Sequence, residues 1–328
     1  MKKRIDYLDT AKGVLILMVV IGQVYESGPV NQYVYSFHMP AFFMISSILF
    51  RYSNALKKPL VHVLLGKVYT LIIPFLFFEA LGVLSNIIRF GVTLNIFGYA
   101  SNTLRLWCNN GPNWFVWALF VGENLFILIH RLIKDKYLIW AVSAVIGIFM
   151  IINHNFYSTF GSTGVGFLFL TLGYYTQPLF TKKGNRVIVL TSGIISVITC
   201  ALNGKVDLGP WVFGNVLLYI ISALAGTFLV IQGSQYISSR LLTYYGQNSL
   251  TVLGTHQVIN LPIRTLSGIS EYSPLMGMLV FLLIAVIELP IIYLFDLCIP
   301  FLIGRKKTGI LGDMIALKRK KKVLSDGE

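Results

Sequence analysis

Ten apolar blocks follow one another along the chain, at about residues 12–27, 32–50, 68–90, 113–131, 137–153, 163–180, 187–203, 211–233, 247–263 and 275–303. Each is near the length of about 20 residues that carries a helix across the hydrocarbon core of a bilayer. The polar stretches between them are short, and none is long enough to separate two domains. The pattern predicts an all-α integral membrane fold, a single bundle of about ten transmembrane helices. The ninth block is the weakest, being polar at both ends. No period of 20 to 50 residues marks a repeat architecture.

Composition agrees with the blocks. Of 328 residues, 55% are hydrophobic and only 12% charged, and the mean hydropathy is +0.73; an average soluble domain carries roughly a quarter charged residues. The formal charge of +14 takes its meaning from where the cations lie. With the N-terminus inside, only Arg89, Arg105, Lys205 and Arg264 of the 27 Lys and Arg fall outside. By the positive-inside rule both termini are then cytoplasmic. The charge excess reads as a topology signal and a contact with anionic lipid headgroups, and no nucleic-acid module is visible. The opening "MKKRIDYLDTAKGVLILMVVIGQ" has a basic start and an apolar core, but Asp6 and Asp9 interrupt it and no small-residue cleavage site follows. It is expected to be a retained first helix rather than a cleaved signal. Residues 305–328 are expected to form a basic cytoplasmic tail, lying on the inner leaflet or disordered. Cys108, Cys200 and Cys298 are scattered, with no disulfide framework or metal-ligand spacing, and no metal is expected.

Polar residues inside the blocks are the candidate chemistry. An ionisable group at membrane depth is costly, so it faces the protein interior with a partner. Lys12, His38, Glu79, Glu123, His256 and Glu288 stand at such depth, accompanied by Gln23, Gln257 and Asn260. Each fits either a hydrogen bond between helices or a place in a functional site. Lys12 and Gln23 are 11 residues apart, which on a helix returns to within roughly 20° of the same face, about 16 Å along the axis. With Asp9 and Glu26 nearby, a polar seam from the cytoplasmic mouth to the outer part of the bundle is expected. His38 lies at a depth similar to that of Gln23, and Pro40 is expected to disturb the hydrogen-bond ladder beside it. The pair could face one cavity, or His38 could be tied to a carbonyl beside the proline. "GSTGVGF" lacks the strand, helix and lysine context of a nucleotide loop and is expected to lead an outer loop into the sixth helix.

Two stretches, "KGVLILMVVIGQ" and "SFHMPAFFMISSILF", resemble the opening helices of the membrane-bound acyltransferase-3 superfamily, in its polysaccharide and lipid-linked sugar O-acetyltransferase branch. "GPNWFVWALFVGEN" resembles that family's tryptophan-rich fourth helix, and "YYGQNSLTVLGTHQ" its Y-I-G-x-N-S-L segment ending in histidine. The resemblance covers residues 1–304. It implies transfer of an acyl group, usually acetyl from acetyl-CoA on the cytoplasmic side, to a glycan hydroxyl facing outward. It implies a functional pair matched in position by Lys12 and Gln23, and a basic patch for the CoA phosphates that only Lys57, Lys58 and Lys67 can supply. Ser47 replaces the glycine that usually follows I-S.

Gln23 stands where the family has its catalytic histidine, and an amide cannot accept a proton near neutral pH. Three explanations stand open: an engineered inactive variant, a base moved to His38 or His256, or a binding protein without turnover. Glu123 is a candidate partner for Lys12 or a histidine. Trp107, Trp114, Phe115, Trp117 and Trp211 are candidates for a sugar-binding mouth or for an interfacial belt. The leading expectation is a plasma-membrane O-acyltransferase whose partners are the bilayer, an acyl-CoA and a glycan or lipid-linked sugar. A small-solute transporter using the polar seam, and a non-catalytic glycan-binding membrane protein, are the alternatives.

Overall fold

The computed structural model describes residues 5–90, 111–152, 159–208, 212–269 and 271–305, with the side chains of 88–90 and 159–161 outside that description. Trp107, Cys108, Trp211 and the tail from residue 306 also lie outside it. The described helices are α1 Asp6–Val24, α2 Gly28–Tyr35, α3 His38–Tyr52, α4 Leu60–Lys67, α5 Ile73–Phe90, α6 Trp114–Leu132, α7 Lys136–Ile152, α8 Thr159–Tyr175, α9 Gln177–Thr181, α10 Arg186–Asn203, α11 Val216–Ser234, α12 Arg240–Gln247, α13 Ser249–Ser267 and α14 Pro274–Cys298. Among the described residues the only β pairing is an isolated bridge between Asp207 and Val212.

The protein is all-helical and of membrane type. Among the described residues, seven stretches are long and apolar enough to cross a bilayer: Asp6–Val24, Gly28–Tyr52, Leu60–Ile87, Gly111–Leu132, Arg186–Asn203, Val216–Ser234 and Pro274–Cys298. α7 is equally apolar but shorter. α13 is not among the seven because Thr251, Thr255, His256, Gln257 and Asn260 dilute its hydropathy.

Several boundaries differ from the sequence expectation, each for a local reason. α1 begins at Asp6, six residues before Lys12, because Asp6 and Asp9 occupy its first turn, where carboxylates offset the positive end of the helix dipole. The second block is two helices, broken at Ser36 and Phe37. Pro40 therefore falls in the first turn of α3, where the N–H it lacks would have had no intrahelical partner. It opens no ladder, which corrects the expected disturbance. The third block starts at Leu60 and carries a π-helical turn, Val68–Ile72, between α4 and α5; such turns are rare and often mark functional sites. The "GSTGVGF" segment is helical, and Gly166 takes the ring of Phe43 against its bare backbone. It is a packing surface between α3 and α8 rather than a loop.

Packing places α1 at the centre. It meets α12 most extensively and also touches α2, α3, α11, α13 and α14. Leu8, Ala11, Leu15, Ile16, Val19, Val20 and Val24 on α1 are buried in the main core. The α1–α12 crossing has no side chains between the backbones: Gly13 lies on the carbonyl of Leu242, and Gly246 on the carbonyl of Asp9. Ser47, in the place of a family glycine, has room because Gly173 of α8 faces it. Arg305 closes the described chain at the end of the bundle where α1 begins. Its guanidinium bonds Asp296 at 2.6 Å and also Asn248, and its carbonyl accepts from Tyr69 at 2.6 Å.

Candidate functional site

A cavity of about 180 Å³ opens beside Lys12. Ile16, Phe42, Ile45, Phe115 and Leu253 form much of its apolar wall, and Ser46 and Ser249 contribute hydroxyls. Lys12 pairs with Asp9 one turn earlier at 2.7 Å. Glu123, a candidate partner for Lys12 or a histidine, pairs with neither. Glu123, 1% exposed, instead takes Lys67 at 2.6 Å and a hydrogen bond from Ser46. Lys67 is thus engaged with a buried carboxylate and with the face of Phe50, 4.2 Å from the ring centre, so it is not a free member of a surface patch.

A second polar group gathers at the far end of α1. Gln23 Nε2 donates to the Tyr35 hydroxyl at 2.8 Å, and Gln23 Oε1 accepts from Gln257 Nε2 at 2.6 Å. Asn260 Nδ2 donates to the Gln23 carbonyl at 3.3 Å, and Arg264 pairs with Glu26 at 2.5 Å. Residue 23 is therefore a strut that ties α1 to α2 on one side and to α13 on the other. His38 is buried, its Nδ1 lies 2.6 Å from the Val34 carbonyl, and the Tyr35 ring stands edge-on to it at 5.0 Å. Tyr35 thus joins Gln23 and His38 into one cluster.

His256, fully buried, places Nδ1 2.8 Å from the Val252 carbonyl. A carbonyl only accepts, so Nδ1 carries a proton, and in the neutral ring Nε2 then presents its lone pair. That atom meets no hydrogen-bond partner among the described residues, and neither do Gln257 Oε1, Asn260 Oδ1 and Asn113 Oδ1. An unpaired buried acceptor costs about 1–3 kcal/mol, so such groups call for a physical reason.

The two polar regions do not form the continuous seam expected from Lys12 to Gln23. Along that face of α1 come Lys12 and Ile16, which line the cavity, then buried Val19 and Val20, then Gln23. The apolar middle layer is a correction to the expected seam. On the facing walls the gap is narrower. His256 follows the cavity residue Leu253 by one turn of α13, and His38 stands one turn beyond Phe42 on α3. Two histidines therefore flank the end of the cavity nearer Gln23.

A family model described as an acyltransferase domain, Acyl_transf_3, matches residues 5–297. The chain belongs to the acyltransferase-3 family. No curated protein and no solved structure matches it. Family membership makes the chain a membrane acyltransferase, and the match spans both the Lys12 cavity and the Gln23 cluster.

The remaining sequence candidates divide clearly. Lys57 is exposed, and Lys58 is half-buried with its carbonyl accepting from Arg131 at 2.5 Å. Trp117 packs on Phe75 and Phe120 with ring centres 5.9 and 6.1 Å away, and Trp114 on Phe115 at 6.1 Å. Two of these contacts lie within α6 and one reaches Phe75 of α5, none of them with Gln23, and Phe115 lines the Lys12 cavity instead of a mouth at the far end. Sequence reasoning did not single out Tyr35, Asn113 or Ser46. Ser46 and Asn113 carried a signal in the resembling "FFMIS" and "GPNWFVW" runs; Tyr35 had none, since its partners lie on other helices.

Proposed function

We propose that this acyltransferase carries acetyl from cytoplasmic acetyl-CoA to a hydroxyl of a cell-surface or lipid-linked glycan in the plasma membrane. The observation that carries the reading is the pairing of a cavity and a polar side-chain cluster on the same helices. An apolar cavity with an ammonium at its mouth suits the pantetheine and acyl end of a CoA thioester, and a neutral amide and histidine cluster beyond it suits a hydroxyl-bearing acceptor. The basic side of the bundle, by the positive-inside rule, is the cytoplasmic one, which puts the Lys12 cavity where CoA is made available. Lys12 would orient the thioester or stabilise the charge developing on its carbonyl oxygen. Gln23 would hold the acceptor site together without taking a proton. The Val19 and Val20 layer gives no support to a polar solute path, which lowers the transporter alternative.

The test supplies radiolabelled acetyl-CoA to inverted membrane vesicles and follows label into surface glycan, for this chain and for Gln23→His. Transfer by either supports the reading, while normal folding of both with no transfer removes it. In whichever protein is active, Lys12→Met is expected to raise KM for acetyl-CoA about tenfold, the worth of one charge-assisted contact, and Lys12→Arg to recover most of it. An unchanged KM would show that Lys12 serves only Asp9.

A further inference from the structure

We infer that Ser46 is a nucleophile that carries the acyl group itself: its hydroxyl takes the acyl from a thioester seated in the Lys12 cavity, with Glu123 as the base, before any outside hydroxyl receives it. The inference rests on the acyl-transfer reading and adds to it a covalent intermediate.

Ser46 departs from the local rule for its residue type. A serine on a helix ordinarily spends its hydroxyl on a carbonyl three or four residues back. Ser47 on the same helix does so on Met44, and Ser53, just past its end, on Phe50. Ser46 instead reaches across to α6 and donates to Glu123 Oε1. The Glu123 carboxylate is buried, and Lys67 fixes its other oxygen at 2.6 Å, so Oε1 is held toward Ser46. Because Ser46 also lines the cavity, it stands between the space for an acyl end and a proton acceptor. A serine hydrogen-bonded to a base is the arrangement that makes an otherwise weak nucleophile reactive. Ser249, the other hydroxyl of that wall, bonds no carboxylate among the described residues.

Two further features converge on the same cavity. Lys12 offers three N–H donors, and Asp9 engages it on one side at 2.7 Å, which leaves donors for the oxygen of a thioester carbonyl, where negative charge develops. The π-helical turn Val68–Ile72 begins directly after Lys67 and brings Leu71 into the cavity wall. The residue that fixes Glu123 is thus one turn of chain from the cavity.

In the first step Ser46 Oγ bonds to the thioester carbonyl carbon as its proton passes to Glu123 Oε1. The C–S bond breaks, its electron pair leaves on sulfur, and the proton goes from Glu123 to the thiolate. An acyl ester of Ser46 and a free thiol are the balanced products. In the second step an acceptor hydroxyl bonds to the same carbonyl carbon, the bond to Ser46 Oγ breaks, and the acceptor's proton returns to Oγ by way of Glu123. Neither step asks residue 23 to carry a proton.

The test gives radiolabelled acetyl-CoA to the full chain purified in detergent, free of glycan. A single acetyl group is expected to stay on the protein after denaturation, on the peptide that carries Ser46, with free CoA thiol released in equal amount. Glu123→Gln is expected to slow this labelling about 100-fold or more, as loss of a general base does. Ser46→Cys is expected to hold its label as a thioester, which neutral hydroxylamine releases, whereas the serine ester resists it; a packing role would give neither adduct. Label on Ser46 that acceptor glycan never removes supports the inference while the glycan reading fails. Transfer to glycan by Ser46→Ala at close to the unaltered rate overturns the inference while acyl transfer stands. Absence of label at residue 46, in protein that binds acetyl-CoA, overturns it whatever the activity.

Discussion

Gly246→Ala is expected to leave almost no folded protein in the membrane fraction, whereas Gly233→Ala leaves the normal amount. Both residues are helical glycines, and the substitution adds the same single carbon. At Gly233 that carbon meets nothing within 4 Å. At Gly246 it would fall inside the carbonyl oxygen of Asp9, and it would also crowd the amide of Gly13. Overpacking in a core usually costs about 1–3 kcal/mol because side chains can move aside. Here the obstacle is backbone on both helices, so α1 and α12 must separate along their whole contact. A cost above about 4 kcal/mol is expected, out of a total stability of about 5–15 kcal/mol. Because Asp9 holds Lys12 at 2.7 Å, any protein that survives should also have lost the geometry of the cavity mouth. The measurement is the yield of monodisperse protein after mild detergent extraction, together with its melting temperature. Equal yields from the two variants would mean that the helices do not cross backbone to backbone.

That crossing shows where sequence legibility ends. The apolar blocks announced an all-helical membrane fold, and the opening motifs announced the family, because both signals are local. The α1–α12 contact depends on two glycines separated by 233 positions, and nothing near Gly13 or Gly246 says that they meet. The same limit applies to charge. In the sequence Lys67 forms one basic group with Lys57 and Lys58, but a π-helical turn follows it and its carboxylate partner comes from α6. Lys12 and Gln23 were correctly placed on one face of α1 by helical geometry. What lies between them on that face is legible too: Ile16, Val19 and Val20 are apolar, and a polar seam needs more than polar residues at its two ends. His38 and His256 are legible in the sequence as polar residues inside apolar blocks. Their surroundings, the Tyr35 ring edge-on to His38 and a buried, unpaired Nε2 on His256, required the fold.

Lys67→Met is expected to be the most damaging single change among the charged residues, and Glu123→Leu added to it is expected to repair most of the damage. Glu123 is 1% exposed and Lys67 23%. Removing the lysine leaves a buried carboxylate with only Ser46 as a partner among the described residues, and breaking a buried pair in this way costs about 3–5 kcal/mol. Removing the glutamate first is milder, because the long lysine stem can carry its ammonium toward the polar surface. With both gone, two apolar side chains of similar bulk occupy the α4–α6 contact, an exchange that is often near neutral. A double-mutant cycle on melting temperature should therefore give a coupling of about 2 kcal/mol or more; additive losses would mean that the two charges do not meet. The same four proteins divide structure from function. If Lys67 serves chiefly to neutralise Glu123, the repaired double variant binds acetyl-CoA as the unaltered chain does. If instead its affinity falls while its stability returns, Lys67 turns from Glu123 to the donor's phosphates when CoA arrives, and the family's basic patch persists here in one residue that changes partners.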